Sequence, residues 1–256
     1  MTVDPDPAAL FDLHGKVVVV TGGSRGLGRA MVAALSRAGA EVVVASRKFD
    51  ACVEVATSVA AETGGRVVPK ALHVGRWDEI EPFVAEVYAE LGRVDVLVNN
   101  AGMSPLYEDL VSVSEKMFDA VVGVNMKGPF RLSALVGTRM VADGGGSIIN
   151  ISSVGSMHPD ASIVPYAGAK AALNAMTVGL AHALGPSVRV NCIMPGAFLT
   201  DVTDHWDWEA MGAAFERFAL QRVGRPEEIV GSVIYLASAA SSFTTGAVFP
   251  VDGGHP

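Results

Sequence analysis

The sequence predicts an α/β fold, a doubly wound parallel sheet of seven strands flanked by helices, and three observations carry that prediction. Short β-branched runs recur along the 256 residues with Ala-rich segments between them. Within the first run, Val17, Val18, Val19 and Val20 are apolar at both alternating sets, as in a parallel strand covered on both faces. A glycine-rich turn then follows that run and leads straight into a helical pattern, the arrangement found at the first βα turn of such sheets.

The expected strands, in order, are KVVVVT from 16, EVVVAS from 41, RVVPKALHV from 66, DVLVNN from 95, SIINIS from 147, SVRVNCI from 187 and AVFPV from 247. Between them, residues 26–37, 49–62, 77–91, 115–141, 166–184 and 226–237 show apolar and polar positions at helical spacing. No linker, composition shift or repeat divides the chain, so a single domain is expected over 15–256. Residues 1–14 read as a flexible leader: the opening stretch is acidic and proline-bearing and lacks the basic start of a secretory signal. The least regular internal stretch, about 196–222, follows the sixth strand. Ligands of open α/β sheets sit at the carboxyl ends of strands, so this stretch is the expected substrate lid.

Composition excludes several classes of function. With 19 Lys and Arg against 27 Asp and Glu, the net charge of −8 draws neither nucleic acid nor anionic lipid. Cys52 and Cys192 form no CxxC pair, so no disulfide framework or metal site is expected, and a reducing, cytoplasmic setting fits. Residues 229–251 carry no charge, but Ser238, Ser241, Ser242, Thr244, Thr245 and Gly246 interrupt them. They read as a short helix, a polar turn and a strand, because a spanning segment must be apolar throughout.

After the first strand comes Thr21-Gly22-Gly23-Ser24-Arg25-Gly26-Leu27-Gly28. Glycines let backbone N–H groups approach a pyrophosphate at the positive end of a helix, so this turn is the expected cofactor loop of a Rossmann-type fold. Its spacing is GxxxGxG, through Gly22, Gly26 and Gly28. At the end of the second strand, an acid would accept from the ribose 2′-OH of NAD. Ser46 stands there instead, 18 positions after Gly28, and carries no charge to repel a 2′-phosphate. Arg47, with Arg25 from the glycine loop, can donate charge-assisted bonds to that phosphate, whereas Lys48 reads as solvated surface. NADP(H) is therefore expected over NAD(H).

Tyr166 and Lys170 stand at i and i+4 at the start of a helical segment and share one face. A free phenol has a pKa of about 10, and a neighbouring ammonium is expected to lower it toward a value useful in proton transfer. The YxxxK spacing alone is equally compatible with an exposed helix pair.

In company, these motifs make the chain resemble the short-chain dehydrogenase/reductase family, over about residues 15–254. TGGSRGLG is similar to the family's cofactor loop, Asn99-Asn100-Ala101-Gly102 to its NNAG segment, and Asn125 in VNMKGPF to its active-site asparagine. Ser153, 13 residues before Tyr166, stands at the family's separation, with Ser152 the competing residue. Pro195-Gly196 followed by Thr200 resembles the loop that holds the nicotinamide carboxamide, and Val251-Asp252-Gly253-Gly254 also fits. The resemblance implies that Ser153 bonds the substrate oxygen and Tyr166 gives or takes its proton. It implies that Lys170 holds the nicotinamide ribose and tunes Tyr166, and that Asn125 supports a proton-relay water. Gly22, Ser24, Arg25, Gly26, Leu27, Gly28, Ser46, Arg47, Asn99, Ala101, Gly102, Pro195, Gly196 and Thr200, with Tyr166 and Lys170, would then hold the cofactor. The implied reaction moves a hydride between nicotinamide and a carbonyl or alcohol carbon, and the implied assembly is a homotetramer. The small-residue run 167–172 itself argues for some self-association.

His73-Val74 departs from the family's pattern, standing where many relatives carry an acid beside the adenine. In the lid, His205, Trp206, Asp207, Trp208, Met211, Phe215 and Phe218 either wall an apolar substrate or pack on the body of the protein or on another subunit. Met157, His158 and Pro159 can line the same pocket. Cys192, inside a strand, reads as a buried small residue. The expected activity is reduction of a ketone or 3-oxoacyl thioester. A 2-enoyl thioester reductase and a non-catalytic NADP(H)-binding regulator are the alternatives.

Overall fold

The computed structural model describes residues 6–201, 212 and 215–256. Seven strands, β1 (Val17–Thr21), β2 (Glu41–Ser46), β3 (Val67–Ala71), β4 (Val96–Asn99), β5 (Gly146–Ile151), β6 (Val188–Pro195) and β7 (Val248–Val251), form one sheet in the order β3-β2-β1-β4-β5-β6-β7. Every pairing is parallel. The strand order reverses between β1 and β4, and the crevice outside that switch point is where such sheets bind ligands.

The alternation in the first strand does what two-sided covering requires. Val18 and Val20 enter one core with Met31, Val32 and Leu35 of α1 (Gly26–Arg37), Val55 and Val59 of α2 (Phe49–Thr63), and Val233 and Leu236 of α7 (Val230–Ala237). Val19 points the other way, into a second core with Ile80, Phe83 and Val84 of α3 (Trp77–Leu91) and Leu132, Val136 and Met140 of α5 (Gly128–Ala142). The remaining α-helices among the described residues are α4 (Glu115–Val122) and α6 (Val164–Leu184).

Three expected elements change. The helix expected over 115–141 is interrupted by a π-turn at Gly123–Lys127 that separates α4 from α5. Its cause is local: the Asn125 amide donates to the Val121 carbonyl at 2.9 Å, and Gly123 and Gly128 let it press on Val74 and Gly75, in the turn beyond β3. A Cβ on Gly128 would stand 2.2 Å from the Val74 carbonyl oxygen. Next, β3 ends at Ala71, so His73-Val74 lies in the turn beyond it, where the His73 ring accepts from Gly75 N at 3.2 Å. Finally, α6 begins at Val164, two residues before Tyr166. The uncharged stretch 229–251 forms α7, a 3₁₀ turn at Ala239–Ser241 and β7, and no helix among the described residues is long and apolar enough to cross a membrane.

Candidate active site

The cofactor loop is shaped by what its glycines leave out. Gly22 has φ +65°, a left-handed conformation, and a Cβ there would lie 2.8 Å from Ala101 Cα. At Gly28 it would lie 2.2 Å from the Gly22 carbonyl oxygen. No side chain caps the N-terminus of α1, so its first backbone N–H groups stay available to an anion. The loop is tied across the switch point. Thr21 Oγ1 accepts from Asn100 N at 3.1 Å and Ala101 N at 3.2 Å, and Asn100 Nδ2 donates to the Thr21 and Gly22 carbonyls at 2.9 and 3.1 Å. A narrow, donor-lined cradle of this kind fits the diphosphate of a dinucleotide. Ser24 and Leu27 complete its turn, Leu27 packing down against the core.

The rim differs from expectation at two residues. Arg25, exposed on the glycine loop, pairs with Asp201, beyond β6. Arg47 is exposed at the end of β2 and has no ion pair among the described residues. Ser46 Oγ donates to the Lys48 carbonyl at 3.2 Å. Asn99 also departs: its amide donates to Ser133 Oγ at 3.0 Å and Asn150 Oδ1 at 2.9 Å, inside the sheet, while the next residue, Asn100, faces the glycine loop. Successive strand side chains point to opposite faces, so one position decides which asparagine serves the cofactor loop.

The roof comes from the other end of the sequence. Gly196 N donates to the Val251 carbonyl at 3.0 Å, and a Cβ on Gly196 would stand 2.7 Å from Asp252 Cα, so the terminal motif sets the turn after Pro195. That turn carries Thr200 over the glycine loop, its Cβ 3.5 Å from where a Cβ on Gly26 would stand.

Gly102 joins this cradle to the acid/base cluster: a Cβ there would lie 3.1 Å from Asn125 Oδ1 and 3.5 Å from Lys170 Nζ. Asn125 is fully buried and clasps Met103, accepting from its N at 3.2 Å and donating to its carbonyl at 2.8 Å. Lys170 is 2% exposed, donates to the Ile151 carbonyl at 2.7 Å, and lies 5.7 Å from the centre of the Tyr166 ring. Ser152 is buried and its hydroxyl donates to the Lys170 carbonyl at 3.2 Å, so it is a structural tie. Ser153 is the more open of the two, accepts from Gly155 N at 3.1 Å, and stands beside Tyr166: a Cβ on Gly155 would lie 3.4 Å from Ser153 Oγ and 4.0 Å from Tyr166 Cε1.

The electrostatics correct one expectation. Burial pushes the Tyr166 phenol above its usual value, and the Ser153 hydroxyl pulls it back only in part. Burial also lowers Lys170, to about 8, so the ammonium that was to acidify the phenol is itself destabilised. Taking both groups out of water outweighs their mutual effect. Burial likewise raises the Cys192 thiol to about 11, consistent with an unreactive core residue.

Beside the Tyr166 ring lies a narrow apolar crevice, closed to a water-sized sphere, walled by Pro105, Tyr107, Met117, Val121, Ile163 and Pro165. It has no charged wall. Met157, His158 and Pro159 are exposed nearby, and the His158 ring lies 5.2 Å from that of His255. Phe215 and Phe218 are buried edge to face against each other, and Phe218 also lies against His255, which is the packing alternative for those two. His205, Trp206, Asp207, Trp208 and Met211 lie outside the described residues. The sequence reading missed Thr21, Asn100, Tyr107 and Asp201. Only the Asn99–Asn100 alternation offered a signal for any of them.

Known proteins share this arrangement. A family model described as Enoyl-(Acyl carrier protein) reductase matches residues 22–255. The 3-oxoacyl-(acyl-carrier-protein) reductase of Thermotoga maritima is 37% identical over 248 residues, covering 94% of this chain and 98% of that protein. Dehydrogenase/reductase SDR family member 4 of Bos taurus is 37% identical over 245 residues, covering 94% and 88%. Among solved structures, a gluconate 5-dehydrogenase from Burkholderia cenocepacia in complex with NADP and tartrate superposes with a TM-score of 0.92 at 31% identity, covering 97% and 98%. With the parallel sheet, the glycine cradle and these relatives together, the chain belongs to the short-chain dehydrogenase/reductase family and is an oxidoreductase of that family.

Proposed function

We propose that the protein reduces a carbonyl to an alcohol with NADPH, taking a ketone or a 3-oxoacyl thioester. The observation that carries this is the juxtaposition of Ser153 and Tyr166 across Gly155, with Lys170 buried one helical turn on and the glycine cradle alongside. A raised phenol pKa keeps Tyr166 protonated at neutral pH, as a proton donor must be. Ser153 holds the carbonyl oxygen, and Tyr166 passes its hydroxyl proton to that oxygen as negative charge develops there. Lys170 holds the ribose and keeps Tyr166 placed, while Asn125, through its grip on Met103, fixes the wall between the two halves and supports a proton-relay water. When bound, the nicotinamide supplies the hydride that completes the alcohol.

Preference for NADP(H) rests on uncharged Ser46 and uncommitted Arg47, and the Burkholderia relative was solved with NADP. Gly22, Gly26, Gly28 and the first N–H groups of α1 would hold the diphosphate, with Ala101, Gly102, Pro195, Gly196 and Thr200 nearer the nicotinamide. We read 15–256 as one catalytic domain after a short leader, in a cytoplasmic homo-oligomer; of the expected lid over 196–222, residues 202–211, 213 and 214 lie outside the described residues. Phe118, Phe130 and Val178, exposed on α4, α5 and α6, supply apolar surface for self-association.

The crevice residues beside Tyr166 are uncharged, which supports an alkyl or acyl substrate over a polyol. The family model's description favours one second reading, reduction of a 2-enoyl thioester. Following NADPH and NADH absorbance against simple ketones, a 3-oxoacyl thioester and a 2-enoyl thioester separates these readings. Turnover of the oxo compounds with NADPH is expected. Tight NADPH binding without turnover of any of them would leave a regulatory binding protein instead.

A further inference from the structure

We infer that Tyr107 is a positioning residue for the acid/base tyrosine: its hydroxyl seats the first turn of α6 and so aims Tyr166 at Ser153. The inference rests on the reading of Tyr166 as proton donor. Tyr166 is the third residue of α6, so its direction depends on how the helix begins. That beginning lacks the usual fastening. Ile163 stands at the N-cap and offers no side-chain acceptor, and Pro165 has no N–H. Tyr107 meets the need from outside the helix. Its hydroxyl accepts from Val164 N at 2.9 Å and donates to the Ala161 carbonyl at 2.6 Å, closing the entry to α6 with one group used in both directions.

The segment that carries Tyr107 is itself held at two points of the site. Ala101 lies against Gly22, where a Cβ would be 2.8 Å away, and Met103 is clasped by Asn125 through two hydrogen bonds. Tyr107 therefore adds a third attachment, joining the cofactor loop and the Asn125 turn to the helix of Tyr166. The other side of the seat is steric. Ile163 Cδ1 packs 2.8 Å from where a Cβ on Gly155 would stand, and Gly155 N donates to Ser153 Oγ. Tyr107, Ile163, Pro165 and Tyr166 line the same cleft, so the seat and the ring it aims are in contact with one space.

The test is Tyr107→Phe in the whole protein, which keeps the ring and removes both bonds. About a tenfold fall in kcat is expected, with KM for the carbonyl changed less than threefold and dissociation constants for NADPH unchanged by fluorescence titration. The alkaline limb of the kcat–pH profile should move to lower pH, because a loosened Tyr166 regains water and burial is the larger cause of its raised value. In a Tyr166→Phe background the same substitution should add no further loss. Unchanged kcat and pH profile would overturn the inference, as would a loss of kcat matched by equal loss of NADPH binding. Should Tyr107→Phe fail to fold, Val164→Pro removes the N–H that the Tyr107 hydroxyl accepts, at a helix start whose φ of −51° proline can adopt, and should give the same split; wild-type kcat there overturns it. Absence of carbonyl turnover in the unsubstituted protein would instead sink the proposed function, which keeps the two failures distinct.

Discussion

The cradle around Gly22 and Gly28 and the cluster of Ser153, Tyr166 and Lys170 occupy the same carboxyl edge of the sheet, but they are built by opposite means. The cradle works by omission: glycines remove Cβ atoms that would stand 2.8 and 2.2 Å from neighbouring backbone, and an uncapped helix end leaves its N–H groups for an anion. The cluster works by addition, placing a lysine, an asparagine and a phenol in or near the core, where each needs a partner. A cradle of backbone tolerates no added atom, while a cluster of buried polar groups depends on particular side chains and carries a stability cost. The predictions below press on that contrast.

The largest effect is expected at Lys170. Lys170→Met should lower kcat by roughly 10³-fold, within the range for loss of acid/base support, and yet make the folded protein more stable at pH 7. Its folded pKa of about 8 lies below the ordinary lysine value of 10.5, so between those pH values the unfolded chain holds more protons. Stability should rise from pH 8 to 10.5 in the wild type and stay flat across that window in the variant. At about 1.4 kcal/mol per pKa unit, less about 1 kcal/mol for the lost bond to the Ile151 carbonyl, the variant should gain on the order of 2 kcal/mol at pH 7 in urea melts. A destabilised variant would mean the cluster is not built at the expense of stability.

Next comes Gly28→Ala, which places a methyl 2.2 Å from a backbone oxygen. NADPH affinity by fluorescence titration should fall by about 100-fold, comparable to losing one or two charge-assisted bonds. A near-normal affinity would show that the cradle can yield.

Arg47→Ala should weaken NADPH by about tenfold, the size of one exposed charge-assisted contact, and leave NADH unchanged. The smallest effect is expected for Arg25→Ala, less than about threefold on the NADPH-to-NADH ratio, because that guanidinium is paired with Asp201. A larger change in the ratio at Arg25 than at Arg47 would restore the sequence-based assignment of Arg25 to the 2′-phosphate.

Much of this fold was legible because its signals are local. A valine run apolar at both alternating sets, followed by a glycine turn and a helical pattern, needs no distant partner to be read, and Tyr166 and Lys170 share one helix face. The features that escaped depend on contacts across the chain. Arg25 and Asp201 are 176 positions apart, and nothing near Arg25 announces the acid that takes it. The π-turn at Asn125 arises where Gly123 and Gly128 press against Val74 and Gly75 in the turn after β3, a packing fact hidden in a helical spacing. Asn99 and Asn100 are adjacent and chemically identical, and only the pleat at the end of β4 sends one into the sheet and the other to the cofactor loop. The expected drop in the Tyr166 pKa failed because i and i+4 spacing reports distance to a charge and is silent about burial.

The central claim is that Tyr166 delivers a proton to a carbonyl that receives hydride at this site. Its most direct measurement is deuterium transfer from deuterated NADPH to the carbonyl carbon of a 3-oxoacyl thioester, followed by mass spectrometry for the wild type and for Tyr166→Phe. The account predicts deuterated alcohol from the wild type and at least about a 10³-fold slower transfer in the variant, with NADPH binding retained. Equal transfer rates in the two proteins would contradict it.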